Sequence, residues 1–211
     1  MALRYSFTSG WGMDNSTILS IRNISKKFGG TQALANVSLN IIRGEVHAVV
    51  GENGAGKSTL MKIVSGVYSP DSGDVLLEDR DILSLKIKER QEAGISMVYQ
   101  EINIFPNLSI ARNVFASREP KGRFGFVDRS KMLEETRRLT QELEVNLDPD
   151  AIVGSLSVAE KQLTQIILAL SYNAKVIILD EANTSLTNEE TKKLFRIIND
   201  LKKKGITIVF V

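Results

Sequence analysis

Gly51-Glu-Asn-Gly-Ala-Gly-Lys-Ser58, followed by Thr59, fits the pattern G-x-x-x-x-G-K-[ST], and its flanks give the match a structural meaning. Upstream, Glu45-Val-His-Ala-Val-Val50 is a short apolar run with β-branched residues and reads as a buried strand. Downstream, Leu60, Ile63, Val64 and Val67 recur at helical spacing, so a helix should open inside the motif. Glycines let such a loop curl until successive N–H groups point inward at an anion. The helix N-terminus adds about half a positive charge on the same side. Gly51, Asn53, Gly54, Ala55, Gly56, Lys57, Ser58 and Thr59 therefore read as a cradle for a nucleoside triphosphate. Lys57 would reach the β- and γ-phosphates, and Ser58 would bind Mg²⁺.

Composition narrows the alternatives. With 211 residues the chain is one large domain or a core with an inserted subdomain. Lys plus Arg total 27 against 25 Asp plus Glu, a balance too even for nucleic acid to be the main ligand. The absence of cysteine removes disulfides, thiol nucleophiles and cysteine-ligated metals. No apolar run approaches the roughly 18 residues of a membrane span, and no secretory signal pattern follows Arg4. A membrane role, if any, is expected through a partner.

Along the chain, residues 1–16 show neither period and read as a disordered N-terminal extension, with Met13 a possible start. Ile18–Ile24 and Val37–Ile42 read as strands, with a turn over Lys26–Gly30 between them, so an antiparallel layer is expected beside the main sheet. Ser69–Gly73 reads as a turn, and Asp74–Leu77 and Ile95–Val98 read as strands. Residues from about 102 to 160 are broken by Pro106, Pro120 and Pro149 and carry one helical segment, Ser130–Glu144, as an inserted helical subdomain would. Leu163, Ile166, Ile167 and Leu170 then give a helical stripe, Val176–Leu179 a strand buried on both faces, and Leu194, Ile197, Ile198 and Leu201 a second stripe. Glu189 and Lys193 are spaced to pair on that last helix, Lys202–Lys204 read as its solvated end, and Ile206–Val211 as a final buried strand. The fold expected is α/β, a P-loop (RecA-like) core with an antiparallel β subdomain and an inserted α-helical subdomain.

Asp180 and Glu181 end the Val176–Leu179 strand, where ligands bind in sheets of this kind. Asp180 can meet Mg²⁺ beside Ser58, and Glu181 can polarise an attacking water.

These motifs resemble the ATP-binding cassette (ABC) ATPases over about residues 18–211. Gly51–Ser58 and Val176–Glu181 look like the Walker A and Walker B motifs, and Gln100 stands at the Q-loop. Ser155-Leu-Ser-Val-Ala-Glu-Lys-Gln162 occupies the place of the LSGGQ signature, and Thr184–Thr187 that of the D-loop. The wording around Walker A and the Q-loop resembles the first cassette of monosaccharide-importer ATPases. The resemblance implies ATP and Mg²⁺ as cofactors, Glu181, Lys57 and Gln100 as catalytic, and Ser58, Gln100 and Asp180 as metal ligands. It implies Phe28 stacking on adenine, against a plain packing role, and Ser157 contacting the γ-phosphate held by an opposing cassette. The partners implied are a second cassette, transmembrane permease subunits and, indirectly, a periplasmic or extracellular sugar-binding protein, with no nucleic acid. The chain would then sit at the cytoplasmic face of the membrane. Ile104, Phe105 and Leu108 are either part of a groove for the permease or subdomain core.

Departures from the family pattern bear on activity. Val158, Ala159 and Glu160 replace Gly-Gly-Gln, and Ser157-x-x-Glu160 is in its own right a helix capping box. Thr187 replaces an acidic residue, and Ala182-Asn183 replaces Pro-Thr. The family's Ser-His pair would follow Val211. The only histidine, His47, lies in the strand before the phosphate loop and reads as a sheet or core residue. The chain reads as a truncated first cassette, weak or inactive in hydrolysis by itself. The leading expectation is ATP-driven sugar import; the alternative is a nucleotide-binding module without turnover.

Overall fold

The computed structural model describes residues 16–99, 103–180 and 186–211. The expectation for residues 1–16 falls, apart from Ser16, outside them. Strands β1 (Thr17–Phe28) and β2 (Thr31–Ile42) form an antiparallel hairpin closed by Gly29-Gly30. The turn expected over Lys26–Gly30 is shorter, because Lys26, Lys27 and Phe28 still pair across the hairpin with Leu34, Gln32 and Thr31. β3 (Val46–Ala48) leads to the glycine loop, and α1 (Lys57–Val64) follows it. Then come β4 (Ser72–Leu77), β5 (Arg80–Asp81), α2 (Ile87–Ala93) and β6 (Ile95–Val98). Ser72 and Gly73, expected in a turn, already belong to β4. The helical insertion carries α3 (Ile110–Val114) and α4 (Arg129–Glu142). α5 (Val158–Leu170), β7 (Val176–Leu179), α6 (Asn188–Lys203) and β8 (Thr207–Phe210) complete the order.

The strands form two sheets, an antiparallel one in the order β2-β1-β4-β5 and a parallel one in the order β3-β8-β7-β6. β7 shows why the second is so apolar. Ile177 and Leu179 face a core shared with α3, α5 and α6, while Val176 and Ile178 face a second core built from β1, β2, β4 and α1. Period-2 alternation thus makes one strand the wall between two apolar layers, and all four of its residues are buried.

β3 does not share that burial. It pairs only with β8 among the described residues. Val46 is half-exposed and Val50, beyond the strand, is 80% exposed. The expected buried strand is therefore an edge strand. Val67, placed on the α1 stripe by spacing, lies past the helix, which closes at Ser65.

α1 is held at its far end by a buried cation that spacing arguments do not reveal. Arg90, in α2 and 2% exposed, donates to the carbonyls of Ile63 and Val64 at the C-terminal end of α1 and to those of Leu83 and Leu85. Terminal helix carbonyls lack intrahelical partners, so the guanidinium satisfies them and complements the helix dipole. Burial pulls the Arg90 guanidinium below its ordinary value. On α6 no ion pair joins Glu189 to Lys193 among the described residues; Lys203 pairs with Asp200. Lys204 is not simply solvated, since its amine donates to the Glu142 carbonyl at 2.9 Å at the end of α4.

Candidate functional site

The phosphate-loop sequence adopts the curl that its glycines permit. Gly54 and Gly56 take φ +81° and +88°, the left-handed region that non-glycine residues rarely occupy. At Gly56 a side chain is excluded twice over, because an added Cβ would lie 2.5 Å from the Ala33 carbonyl oxygen of β2. The β1–β2 hairpin therefore closes directly on the loop. Gly56 also precedes the first turn of α1, which has no side-chain cap and no acidic residue. Its leading N–H groups are left for an anion, and the helix dipole favours one.

Two side chains define the mouth of this cradle. Lys57 Nζ donates to the carbonyl oxygens of Gly51 at 2.8 Å and Glu52 at 3.1 Å, so its charge is folded over the loop. Ser58 Oγ donates to Asp180 Oδ1 at 3.0 Å. Asp180 is 4% exposed, and its N–H continues the sheet by donating to the Val98 carbonyl. Ser58 and Asp180, expected as ligands of one cation, are thus brought together as two hard oxygen donors of the type Mg²⁺ takes. Asn53 is exposed on the loop, and Ala55, Ser58 and Thr59 are half-buried. Gln100 and Glu181 lie outside the described residues.

Phe28 ends β1 at the turn of the hairpin whose second strand meets the loop at Ala33. Its ring meets Tyr68 edge-on at 5.2 Å, and the Lys26 amine lies 5.5 Å from its centroid. The ring stays 43% exposed, so it packs locally and still offers a face. Tyr68 was not singled out in the sequence, where it is one aromatic in a turn-forming Gly-Val-Tyr-Ser-Pro run.

Ser157 caps α5. Its hydroxyl accepts from the Glu160 N–H at 3.2 Å, and its own N–H donates to the Glu160 carboxylate at 2.8 Å. The capping box read from Ser157-x-x-Glu160 is present, and the glutamate in place of the signature glutamine has a structural task. Thr187, in place of an acidic residue, caps α6 in the same way with Glu190, and its N–H and hydroxyl hold the Glu190 carboxyl below its ordinary value. His47 Nδ1 lies 2.9 Å from Glu45 Oε1, the sheet role expected of it. Ile104 packs against the core, as the subdomain-core alternative expects, whereas Phe105 is 61% exposed. Asn113 organises that loop, bonding Phe105 through both its N–H and its carbonyl.

A parallel sheet flanked by helices, with a glycine loop opening onto an uncapped helix and a carboxylate at the adjoining strand end, defines a P-loop nucleotide-binding protein. The ABC transporter family model matches residues 34–184, and the chain belongs to that family. It is 47% identical over 194 residues to a protein of Hahella chejuensis named as a ribose/galactose/methyl galactoside import ATP-binding protein, with 92% of this chain and 38% of that protein covered. A galactose/methyl galactoside import ATP-binding protein of Clostridium perfringens is 43% identical, with 94% and 38% covered. The chain thus spans about two fifths of the length of the curated relatives it matches. Among solved structures, an ATP-binding cassette of an ABC transporter in its ADP conformation superposes with a TM-score of 0.80 at 27% identity, covering 92% of this chain and 80% of that one. A dimeric cassette in a post-hydrolysis state, bound to ADP and phosphate, gives 0.77 at 25% identity, covering 92% and 87%. Among the described residues no helix is long and apolar enough to cross a membrane.

Proposed function

We propose that residues 17–211 are an ABC nucleotide-binding domain, with a helical subdomain over about 102–160, that binds Mg²⁺-ATP and hydrolyses it to drive import of a monosaccharide. The observation that carries the reading is the Ser58–Asp180 contact at the mouth of an uncapped, glycine-curled helix start. Gly51–Thr59 would hold the phosphates, Phe28 the adenine, and Ser58, Asp180 and Gln100 the metal. Bound Mg²⁺ supplies charge neutralisation on the phosphates. Lys57 adds a cation to the same oxygens, and Glu181 orients the attacking water. Ser157 acts across an interface on the nucleotide of a second cassette, a reading supported by the dimeric neighbour. The names of the relatives support permease subunits as the membrane partner and a sugar as cargo, with a sugar-binding protein acting indirectly and the chain peripheral at the cytoplasmic face.

The test is Mg²⁺-dependent ATP binding and turnover in wild type and Glu181→Gln. Binding should survive the substitution while turnover disappears. Equal turnover in the two proteins would sink the hydrolytic reading, and binding without any turnover in the wild type within its transporter would leave a nucleotide-binding module.

A further inference from the structure

Between α3 and α4 the chain makes a small hairpin, residues 120–128, that the site does not use. It is well tied. Asp128 N–H donates to the Pro120 carbonyl at 2.8 Å, Gly122 N–H to the Phe126 carbonyl at 2.8 Å, and Lys121 bridges Val127. At its tip Phe124 is 93% exposed, Phe126 75% and Val127 56%. Phe124 also sits at φ +62°, a region costly for an aromatic residue. Single exposed apolar residues are ordinary, but three at one projecting tip form a patch. A fixed backbone in an unfavourable conformation presents rings that touch almost nothing of their own chain.

The charges around the tip say what covers it. Lys121 and Arg123 are exposed on the hairpin and form no ion pair among the described residues. Both carboxylates of this segment lie at the base of the hairpin, exposed Glu119 just before it and Asp128 where it closes on Pro120 and caps α4, so the two cations stand nearer the tip than either counter-charge. Arg129 pairs with Asp150. A convex tip with apolar rings and two free cations matches an anionic bilayer interface, which takes rings at headgroup depth and draws basic residues to its phosphates. It matches the cytoplasmic loops of a membrane protein poorly, because those carry their own excess of Lys and Arg.

We propose that the 120–128 hairpin is a membrane-contacting finger that seats Phe124 and Phe126 among the headgroups of an anionic leaflet, with Lys121 and Arg123 on lipid phosphates. The proposal rests on the reading above that the chain works at a membrane.

The experiment is co-sedimentation of the chain, without nucleotide, with vesicles of phosphatidylglycerol and phosphatidylcholine and with vesicles of phosphatidylcholine alone. Wild type should bind the anionic vesicles and release them as salt rises. Lys121→Gln and Arg123→Gln should each weaken binding roughly 5-fold, and Phe126→Ser about 10-fold. Phe124→Gly is the informative variant: it should weaken vesicle binding while raising the melting temperature, since glycine accepts φ +62°. A ring with a merely structural role would lower it. Lys57→Ala should lose nucleotide and keep vesicle binding, so failure of the finger and failure of the nucleotide site are separable. The proposal is overturned by equal binding to both vesicle types, by binding that ignores the phenylalanines, or by hairpin variants that leave vesicles bound but detach the chain from its permease.

Discussion

Ser58 and Asp180 lie 122 positions apart in sequence, yet the serine hydroxyl donates to the aspartate at 3.0 Å. The contact joins the first turn of α1 to the end of β7, so the loop and the central sheet share one polar contact at the site mouth. Substituting Asp180 by Asn keeps the shape and removes the charge. We expect it to lower affinity for Mg²⁺-ATP by at least about 10-fold, with a smaller loss for ATP in the presence of a chelator. Titration calorimetry with and without Mg²⁺ reads the difference; equal losses in both would mean that Asp180 serves the fold alone.

Lys57 should be required for ligand-linked stabilisation. At 100 times its dissociation constant, Mg²⁺-ATP should add roughly 2.7 kcal/mol to wild type and almost nothing to Lys57→Ala. Paired thermal melts measure this, and because among the described residues Lys57 bonds only loop carbonyls, the ligand-free proteins should melt together.

Two glycines of the loop should respond differently to alanine. Gly54→Ala meets open space and suffers only its positive φ, about 1–2 kcal/mol. Gly56→Ala adds a collision with the Ala33 carbonyl and should cost about 3 kcal/mol or more, with loss of nucleotide binding. Denaturant unfolding ranks them; equal values would mean that the hairpin yields freely at Ala33.

At the start of α5, Ser157→Ala should cost about 1 kcal/mol through loss of the cap. Glu160→Gln should be nearly neutral, because an amide oxygen can still accept from the Ser157 N–H. Urea unfolding of the two variants provides the check.

Acid stability should depend on Glu78, which bonds both Lys175 and Arg43. Those bonds, Lys175 first, hold its carboxyl below the ordinary glutamate value of 4.5. A depressed folded-state pKa means that its contribution is present above about pH 4.5 and is lost as pH falls through the folded value. Glu78→Gln should therefore be less stable at neutral pH and show a shallower acid limb. Parallel stability curves would rule this out.

Much of the site is legible in the sequence because its chemistry demands rare residue types in order. Gly54 and Gly56 mark a backbone that other residues resist, and the apolar run Val176–Leu179 marks a strand covered on both faces. What escaped was set by tertiary context. α2 and α3, at seven and five residues, are too short for a 3.6-residue period to show. The exposure of β3 depends on its place at a sheet edge, which its valines do not encode. Arg90 reads as one more charge on a polar segment, and only the folded chain reveals the carbonyls of α1 around it. Lys204 likewise meets Glu142 across 62 positions, beyond any local pattern.

The pairing of β3 with β8 carries a consequence for the order in which the chain takes shape during synthesis. Val46, His47 and Ala48 are matched by Ile208, Val209 and Phe210, and Val49 N–H donates to the Phe210 carbonyl. The strand that launches the phosphate loop has no other ladder partner among the described residues, and that partner is translated about 150 residues after the loop. At ribosomal rates of about 5–20 residues per second this is a wait of roughly 7–30 s. Through that interval the glycine loop has sequence but no finished frame, and a nascent chain stalled before Thr207 should not yet hold nucleotide.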